Sequence, residues 1–205
     1  MIAVIIDWLA QIIIAVISWL GHPGVFVLMA LESCGLPIPS EIIMPFAGFL
    51  VTTGRLSFWL VVAMGALGNL AGSLLAYWIG WRGGRPLIER YGKYILLSHR
   101  DLDLAERWFG RYGDVVVFFG RLLPVVRTYI SFPAGLAQMN LKKFAFYTTL
   151  GSLPWSLLFA ALGVKMGDNW SAVRQWLHDF DLAIVGLLVL LVVLFIFRHR
   201  RQRVG

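Results

Sequence analysis

Four ionisable residues lie inside apolar stretches of the chain, and all four lie beside prolines. Glu32 and Glu41 flank the sequence Leu-Pro-Ile-Pro-Ser, and Arg121 and Arg127 flank Leu-Leu-Pro-Val-Val. An unpaired charge near the centre of a bilayer costs roughly 2.5–3.5 kcal/mol on insertion scales. These side chains must therefore pair, face water or hold a ligand, which makes them the candidate functional residues.

The arginines are suited to an anion, and the glutamates to a proton. Two guanidinium groups offer forked donors that match phosphate oxygens, and a helix that begins near Ser40 would add the positive end of its dipole. Burial favours the neutral form of a carboxyl group, whereas a neighbouring arginine favours the charged form, so we expect protonation of Glu32 and Glu41 to respond to substrate. The alternative is structural: the four charges only lock two segments together.

The composition is that of a small integral membrane protein. Of the 205 residues, 59% are hydrophobic and 14% are charged, and the mean hydropathy is +0.77. The net charge of +7 resides largely in one loop and the C-terminal tail, which indicates cytoplasmic topology rather than nucleic-acid binding. The four histidines lack the spacing of a metal site or a catalytic triad, so we expect no metal, no cofactor and no enzyme activity.

Prolines break the first charged segment, residues 25–53. On one continuous helix, Glu32 and Glu41 would point about 180° apart, because they are nine positions apart. Pro37 and Pro39 interrupt the helix and allow the two carboxylates to converge. Each arm is too short to cross about 30 Å of hydrocarbon, so we expect a re-entrant helical hairpin.

The second charged segment, residues 115–139, repeats this design. Arg121 and Arg127 would diverge by about 120° on a continuous helix, and Pro124 supplies the break. If the basic tail is cytoplasmic, the first hairpin enters from outside and the second from the cytoplasm. The sequence therefore predicts an inverted repeat of the kind that forms midplane sites in transporters.

The predicted fold is a single all-α membrane domain. Its parts are an N-terminal helix, two hairpins, three spanning helices, a cytoplasmic amphipathic segment and a basic tail. In chain order the helix is 1–20, the hairpins are 25–53 and 115–139, the spanning helices are 57–81, 144–164 and 182–197, the amphipathic segment is 82–114 and the tail is 198–205. Whether the first helix spans or lies at the interface stays open.

Further residues near the two breaks are predicted to support the site. The supporting residues are Pro37, Pro39, Pro124, Tyr129, Ser131 and Gly135. Lesser candidates, which more often pack than bind, are Asn69, Tyr77, Thr128 and Gln138. Gly68, Gly72, Ala76 and Gly80 recur every four residues and predict close helix packing.

Two motifs resemble the signatures of the bacterial DedA (VTT-type) family. The first is Glu32-Ser-Cys-Gly-Leu-Pro-Ile-Pro-Ser-Glu41 with Pro45 and Gly48, and the second is Phe119-Gly-Arg121-Leu-Leu-Pro124-Val-Val-Arg127 with Pro133-Ala134-Gly135 and Met139. The resemblance implies opposed re-entrant hairpins, functional acidic and arginine residues and dependence on proton motive force. It also implies location in the bacterial cytoplasmic membrane with a cytoplasmic C-terminus.

The resemblance further implies movement of a lipid phosphate between leaflets, with undecaprenyl phosphate returned to the inner leaflet as the foremost expectation. Phosphatidylethanolamine or another phospholipid is an alternative substrate, and a proton-coupled transporter of a small ion or drug is a second alternative. The expected partners are a membrane lipid and protons, and a homodimer stays open.

Overall fold

The computed structural model describes residues 2–36, 38–95, 107, 109, 112–123 and 126–167. The chain divides into two compact units, Met1–Lys165 and Met166–Gly205. The site lies in the first unit. The predicted spanning helix 182–197 and the tail 198–205 lie outside the described residues, as do residues 96–106, 108, 110 and 111 of the predicted amphipathic segment 82–114.

The described part of the first unit is helical and contains no strand. Its helices are α1 (Ile2–Leu20), α2 (His22–Ser33), α3 (Ser40–Thr52), α4 (Phe58–Ile95), α5 (Val115–Leu122), α6 (Val126–Tyr129), α7 (Ser131–Leu136) and α8 (Leu141–Lys165). This confirms the predicted all-α class, whereas the re-entrant geometry and the inverted repeat remain predictions.

Both charged segments are broken where prolines occur. The backbone between α2 and α3 leaves the helical conformation. Pro39, which precedes α3, has an extended backbone, with φ −76° and ψ 112°. After α5, Leu123 is likewise extended, with φ −95° and ψ 123°. A residue that precedes a proline is sterically driven from the helical region, which explains the conformation of Leu123. By contrast, α3 continues through Pro45.

The described residues contain two helices long and apolar enough to cross a membrane, Phe58–Gly83 and Leu141–Lys165. The second corresponds closely to the predicted span 144–164. The first belongs to α4, which continues well past its predicted end at residue 81 to Ile95. A helix satisfies its own backbone hydrogen bonds, so it can extend beyond the apolar stretch into polar sequence.

The two long helices hold the broken segments in a crossed arrangement. Helix α4 packs against α2 and α7, while α8 packs against α3 and α5, and α4 and α8 also contact each other. A Cβ atom at Gly72 would overlap the Ala30 carbonyl of α2, and one at Gly163 would overlap the Pro45 carbonyl of α3. Glycine is thus required where the backbones meet, as the small-residue pattern in α4 predicts.

Large apolar side chains cover much of the outer surface of the long helices. Exposed examples are Trp59, Leu67 and Leu75 on α4 and Phe146 and Leu158 on α8. Meanwhile, several charged and polar side chains are buried between the helices. An extensively apolar exterior, with these polar groups enclosed between the helices, suits a hydrocarbon environment.

Candidate functional site

Arg127 lies at the centre of an ionic cluster that joins the two broken segments. Its Nη2 atom is 2.9 Å from Oε1 of Glu41 and 3.7 Å from Oε1 of Glu32, and it donates a hydrogen bond to Oγ of Ser40. The side chains of Arg127 and Glu32 are each 6% exposed, and that of Glu41 is 20% exposed. We call these four residues the ionic cluster.

Hydroxyl groups hold the carboxylates of the ionic cluster in place. Oε2 of Glu32 accepts a hydrogen bond of 3.0 Å from Ser33, and Oε1 accepts one of 3.2 Å from Thr128. The Ser40 hydroxyl lies 3.4 Å from Oε2 of Glu41 as a donor. Buried carboxylates need such partners, so the cluster is electrostatically paired and hydrogen-bonded at once.

Arg121 has a different environment, which we call the neutral cluster. Its Nη1 donates to Oδ1 of Asn69 at 2.8 Å, and its Nη2 donates to the hydroxyls of Ser73 and Ser131, both at 2.6 Å. Arg121 is only 1% exposed and is the largest fully buried side chain of the described residues. The charge is therefore solvated by neutral oxygens from α4 and α7 rather than by a carboxylate in contact.

The close approach of α8 leaves room for the Arg121 side chain at Gly151. A Cβ atom at Gly151 would lie 2.6 Å from the Cβ of Arg121, a separation that real Cβ atoms do not adopt. Any larger residue at this position would displace the arginine. Helix α8 therefore packs against the base of the Arg121 side chain, while α4 binds its guanidinium.

A small cavity lies between the two arginines. Its walls are formed by Met29, Ser40, Met44, Asn69, Arg121, Arg127, Ser152, Trp155, Ser156 and Phe159. The space available to the centre of a water molecule is about 10 Å³, which is room for about one water. The Nε atoms of both arginines are buried and have no hydrogen-bond partner within the described structure. The cavity wall thus includes two cations that each retain an unused donor.

Trp155 of α8 contacts both arginines. The Arg127 guanidinium carbon lies 5.2 Å from the centroid of the indole ring, which is within the range of a cation–π interaction. The indole Nε1 donates a hydrogen bond of 3.1 Å to the main-chain carbonyl of Arg121. Trp155 is also stacked on Phe159, with centroids 5.2 Å apart.

The structure brings most of the predicted site residues together. Glu32, Ser40, Glu41 and Arg127 form the ionic cluster, and Ser131 binds Arg121. By contrast, the contacts shown for Arg121 are with neutral side chains. Their oxygens accept from Nη1 and Nη2 of Arg121, and Nε has no partner within the described residues.

The remaining predicted residues lie around the clusters or apart from them. Pro39 immediately precedes α3, and Gly135 contacts the α4 backbone, where a Cβ would overlap the Tyr77 carbonyl. Tyr129 is 63% exposed and so lies at the surface. Pro37 and Pro124 lie outside the described residues.

Sequence reasoning missed Ser73, Trp155 and the cavity serines of α8. Ser73 lies four residues after Asn69, so both share one helix face, and this spacing could have identified it. Ser152 and Ser156 show the same spacing in α8. Nothing in the local sequence indicated that Trp155 would reach both arginines. Among the lesser candidates, Asn69 and Thr128 contact charged side chains, and Tyr77 donates to the Met139 carbonyl.

No group of three or more histidine, cysteine, aspartate or glutamate side chains is placed to hold a metal ion within the described ranges. Of the histidines, only His22 lies in these ranges, and its Nε2 accepts a hydrogen bond of 3.0 Å from the Ser57 backbone.

A comparison with protein-family models matches residues 38–165 to the VTT domain. The chain belongs to the VTT-domain (DedA) family. The match covers more than half of the 205 residues. It includes three of the four charged candidate residues, namely Glu41, Arg121 and Arg127. The protein named DedA of Escherichia coli is 28% identical over 169 residues, covering 80% of this chain and 75% of that protein. The resemblance inferred from the two motifs is thus confirmed.

The chain is also similar to proteins named as a transporter and as phosphatase-like. Undecaprenyl phosphate transporter A of Bacillus subtilis is 35% identical over 199 residues, covering 96% of this chain and 98% of that protein. An alkaline phosphatase-like protein of Lactococcus lactis is 35% identical over 189 residues, covering 90% of this chain and 88% of that protein. No solved structure matches the chain significantly.

Proposed function

We propose that this protein is a lipid-phosphate translocase of the bacterial cytoplasmic membrane and returns undecaprenyl phosphate to the inner leaflet. One observation carries the proposal: two buried arginines, each with an unused Nε donor, line one cavity beside a pair of carboxylates. The similarity to undecaprenyl phosphate transporter A supports the choice of substrate. We propose a non-enzymatic role because the Bacillus subtilis relative that matches 96% of this chain is named a transporter.

The arginines are the groups that would bind the phosphate. An arginine forms bidentate, charge-assisted hydrogen bonds with phosphate oxygens. In this structure Arg127 is engaged by Glu32 and Glu41, so a phosphate must displace or complement those carboxylates. A phosphate is larger than the single water for which the cavity has room, so binding also requires the cavity to open.

Protons provide a means of releasing Arg127. Protonation of Glu32 or Glu41 removes a negative charge from the ionic cluster and weakens its hold on the guanidinium. We propose that protons from outside the cell favour phosphate binding there, and that their loss to the cytoplasm restores the ion pairs and expels the phosphate. The pH gradient would then drive movement toward the inner leaflet, and the inside-negative membrane potential would add to it only where the protons carried outnumber the negative charges of the phosphate.

The apolar exterior explains how a lipid could use this site. The headgroup would enter between the helices while its chain stays in the hydrocarbon beside the exposed apolar faces of α4 and α8. We propose that the two broken segments are re-entrant hairpins from opposite leaflets, so that the headgroup needs only a short polar path. Cytoplasmic placement of the C-terminus follows from the positive charges near it.

The test is transport by the purified protein in liposomes. Labelled undecaprenyl phosphate, a phosphatidylethanolamine probe and a small-ion flux assay are compared with and without a proton gradient. We expect gradient-dependent movement of the polyprenyl phosphate, which Arg127→Gln abolishes. Lys143→Gln is the matched control, because Lys143 pairs with Asp114 at 2.6 Å on the exposed surface.

Each alternative predicts a different result. Movement of the phosphatidylethanolamine probe alone would indicate a phospholipid flippase or scramblase, and ion or drug flux alone would indicate a small-solute transporter. Release of inorganic phosphate would indicate a lipid phosphatase. Wild-type activity in Arg127→Gln would contradict the role of the ionic cluster.

A further inference from the structure

We propose that Trp155 is the positioning residue that couples the two arginines of the anion site. It holds the side chain of Arg127 and the main chain of Arg121, so that both Nε–H groups remain available to one phosphomonoester oxyanion. This inference rests on the proposed function and adds α8 as the element that organises the site.

The contact with Arg127 is made through the indole face. A cation over an aromatic ring is attracted without using its hydrogen-bond donors. The ring centroid lies 5.2 Å from the Arg127 guanidinium carbon, while Glu41 and Ser40 occupy Nη2. Trp155 therefore adds a contact on the face of the guanidinium and leaves the Nε donor unused.

The contact with Arg121 is made through the indole edge. Leu122 is the last residue of α5, so the main-chain carbonyl of Arg121 has no following helical turn to supply its hydrogen bond. The Trp155 N–H supplies that bond at 3.1 Å. The end of α5 and the start of the Arg121 side chain are thereby fixed relative to α8.

The surrounding residues hold Trp155 itself in place. Gly151, Trp155 and Phe159 are four residues apart and lie on one face of α8. Phe159 stacks on the indole at an interplanar angle of 15°, and Gly151 contacts the Cβ of Arg121. Through its face and its N–H group, the ring thus links the guanidinium of Arg127 to the main chain that carries Arg121.

Two substitutions separate the functions of the ring. Trp155→Phe retains an aromatic face toward Arg127 but removes the N–H donor to Arg121. Trp155→Leu removes both. Trp78→Phe is the matched control, because Trp78 contacts Arg82 in the same way, at 5.4 Å, away from the site.

Transport of undecaprenyl phosphate in liposomes gives the first measurement. We expect KM to rise about tenfold in Trp155→Phe and about 100-fold in Trp155→Leu, from the loss of one buried hydrogen bond and then of a desolvated cation–π contact. The maximal rate should change less, and Trp78→Phe should behave as wild type. Unchanged KM in both Trp155 variants, with or without loss of thermal stability, would overturn the proposal. If Trp155→Leu does not fold, Trp155→Phe alone decides.

A second measurement follows the arginines directly and does not depend on transport. Protein labelled with ¹⁵N at arginine Nε is titrated with inorganic phosphate and with a short-chain isoprenyl monophosphate. We expect two buried Nε–H resonances to shift in the wild type and in Trp78→Phe, and at least one to stop responding in Trp155→Leu. A response to the isoprenyl ligand alone would identify a lipid headgroup site, and a response to both would identify a general phosphate site.

The two measurements distinguish failure of this inference from failure of the proposed function. A wild type that moves no polyprenyl phosphate but shows Trp155-dependent Nε–H shifts would refute the lipid substrate and retain the role of Trp155. Resonances that respond identically in all variants would refute the role of Trp155.

Discussion

Replacing Arg127 with glutamine should destabilise the protein because it leaves two carboxylates without their cation. At an effective dielectric constant of about 20, the separations of 2.9 and 3.7 Å correspond to attractions of about 6 and about 4.5 kcal/mol. Desolvation of the three ions offsets much of this attraction. Breaking a buried pair by removing one partner typically costs about 3–5 kcal/mol, so we expect a loss of that size.

The matched variant removes all three charges together. In the triple variant Glu32→Gln/Glu41→Gln/Arg127→Gln no charge is stranded, and the glutamine amide oxygens can still accept from Thr128 and the neighbouring serines. Replacing a complete buried ion cluster is often close to neutral. We therefore expect the triple variant to recover most of the stability that Arg127→Gln loses, while transport stays absent in both.

Thermal unfolding of the purified protein in detergent provides the assay. For a chain of this length, a loss of about 3–5 kcal/mol lowers Tm by about 6–20 °C. Lys143→Gln, which breaks an exposed ion pair, should leave Tm unchanged within error. If the triple variant melts as low as Arg127→Gln, stranded carboxylates are not the cause of the loss. If the triple variant transports normally, the charges serve only as a structural lock.

Three further predictions concern packing and hydrogen bonds. Gly72→Ala should lower stability by about 1–3 kcal/mol, because the added Cβ would overlap the Ala30 carbonyl; an unchanged Tm would contradict the close helix contact. Tyr77→Phe should lower the free energy of unfolding by about 1 kcal/mol, because it removes the hydrogen bond to the Met139 carbonyl. Thermal unfolding measures this loss, and a stability equal to that of the wild type would exclude the bond. Ser73→Ala should lower the free energy of unfolding by about 1.5–3 kcal/mol, because it removes an acceptor from the charged guanidinium of Arg121. Transport and Tm should fall together. Wild-type values of both would show that the other acceptors of Arg121 suffice.

The ionic cluster could be anticipated from sequence because an unpaired buried charge and a proline inside a helix are both energetically unfavourable. A buried charge needs a partner, and a proline disfavours a continuous helix. The positions of Glu32, Glu41 and Arg127 beside prolines therefore favour broken segments whose charged side chains meet. The helical class and the family likewise follow from hydrophobic stretches and from motifs of adjacent residues.

The partners of Arg121 could not be predicted in the same way. Asn69 and Ser73 precede Arg121 by 52 and 48 residues, and neutral side chains carry no charge signal that identifies them as partners. The role of Trp155 depends on how α8 lies against two other elements, which is a property of tertiary packing. The length of α4 was also missed. Its end was predicted from the end of the apolar stretch at residue 81, whereas the helix continues through polar sequence to Ile95.

The crossed packing makes the two charged breaks mechanically dependent on each other. Since α4 carries one arm of each interrupted segment and α8 carries the other, sliding one long helix along its neighbour would part both pairs of arms in a single movement. The bonds between Arg121 and α4 run across that sliding plane. Such sliding would therefore have to break the hydrogen bonds from Arg121 to Asn69 and Ser73.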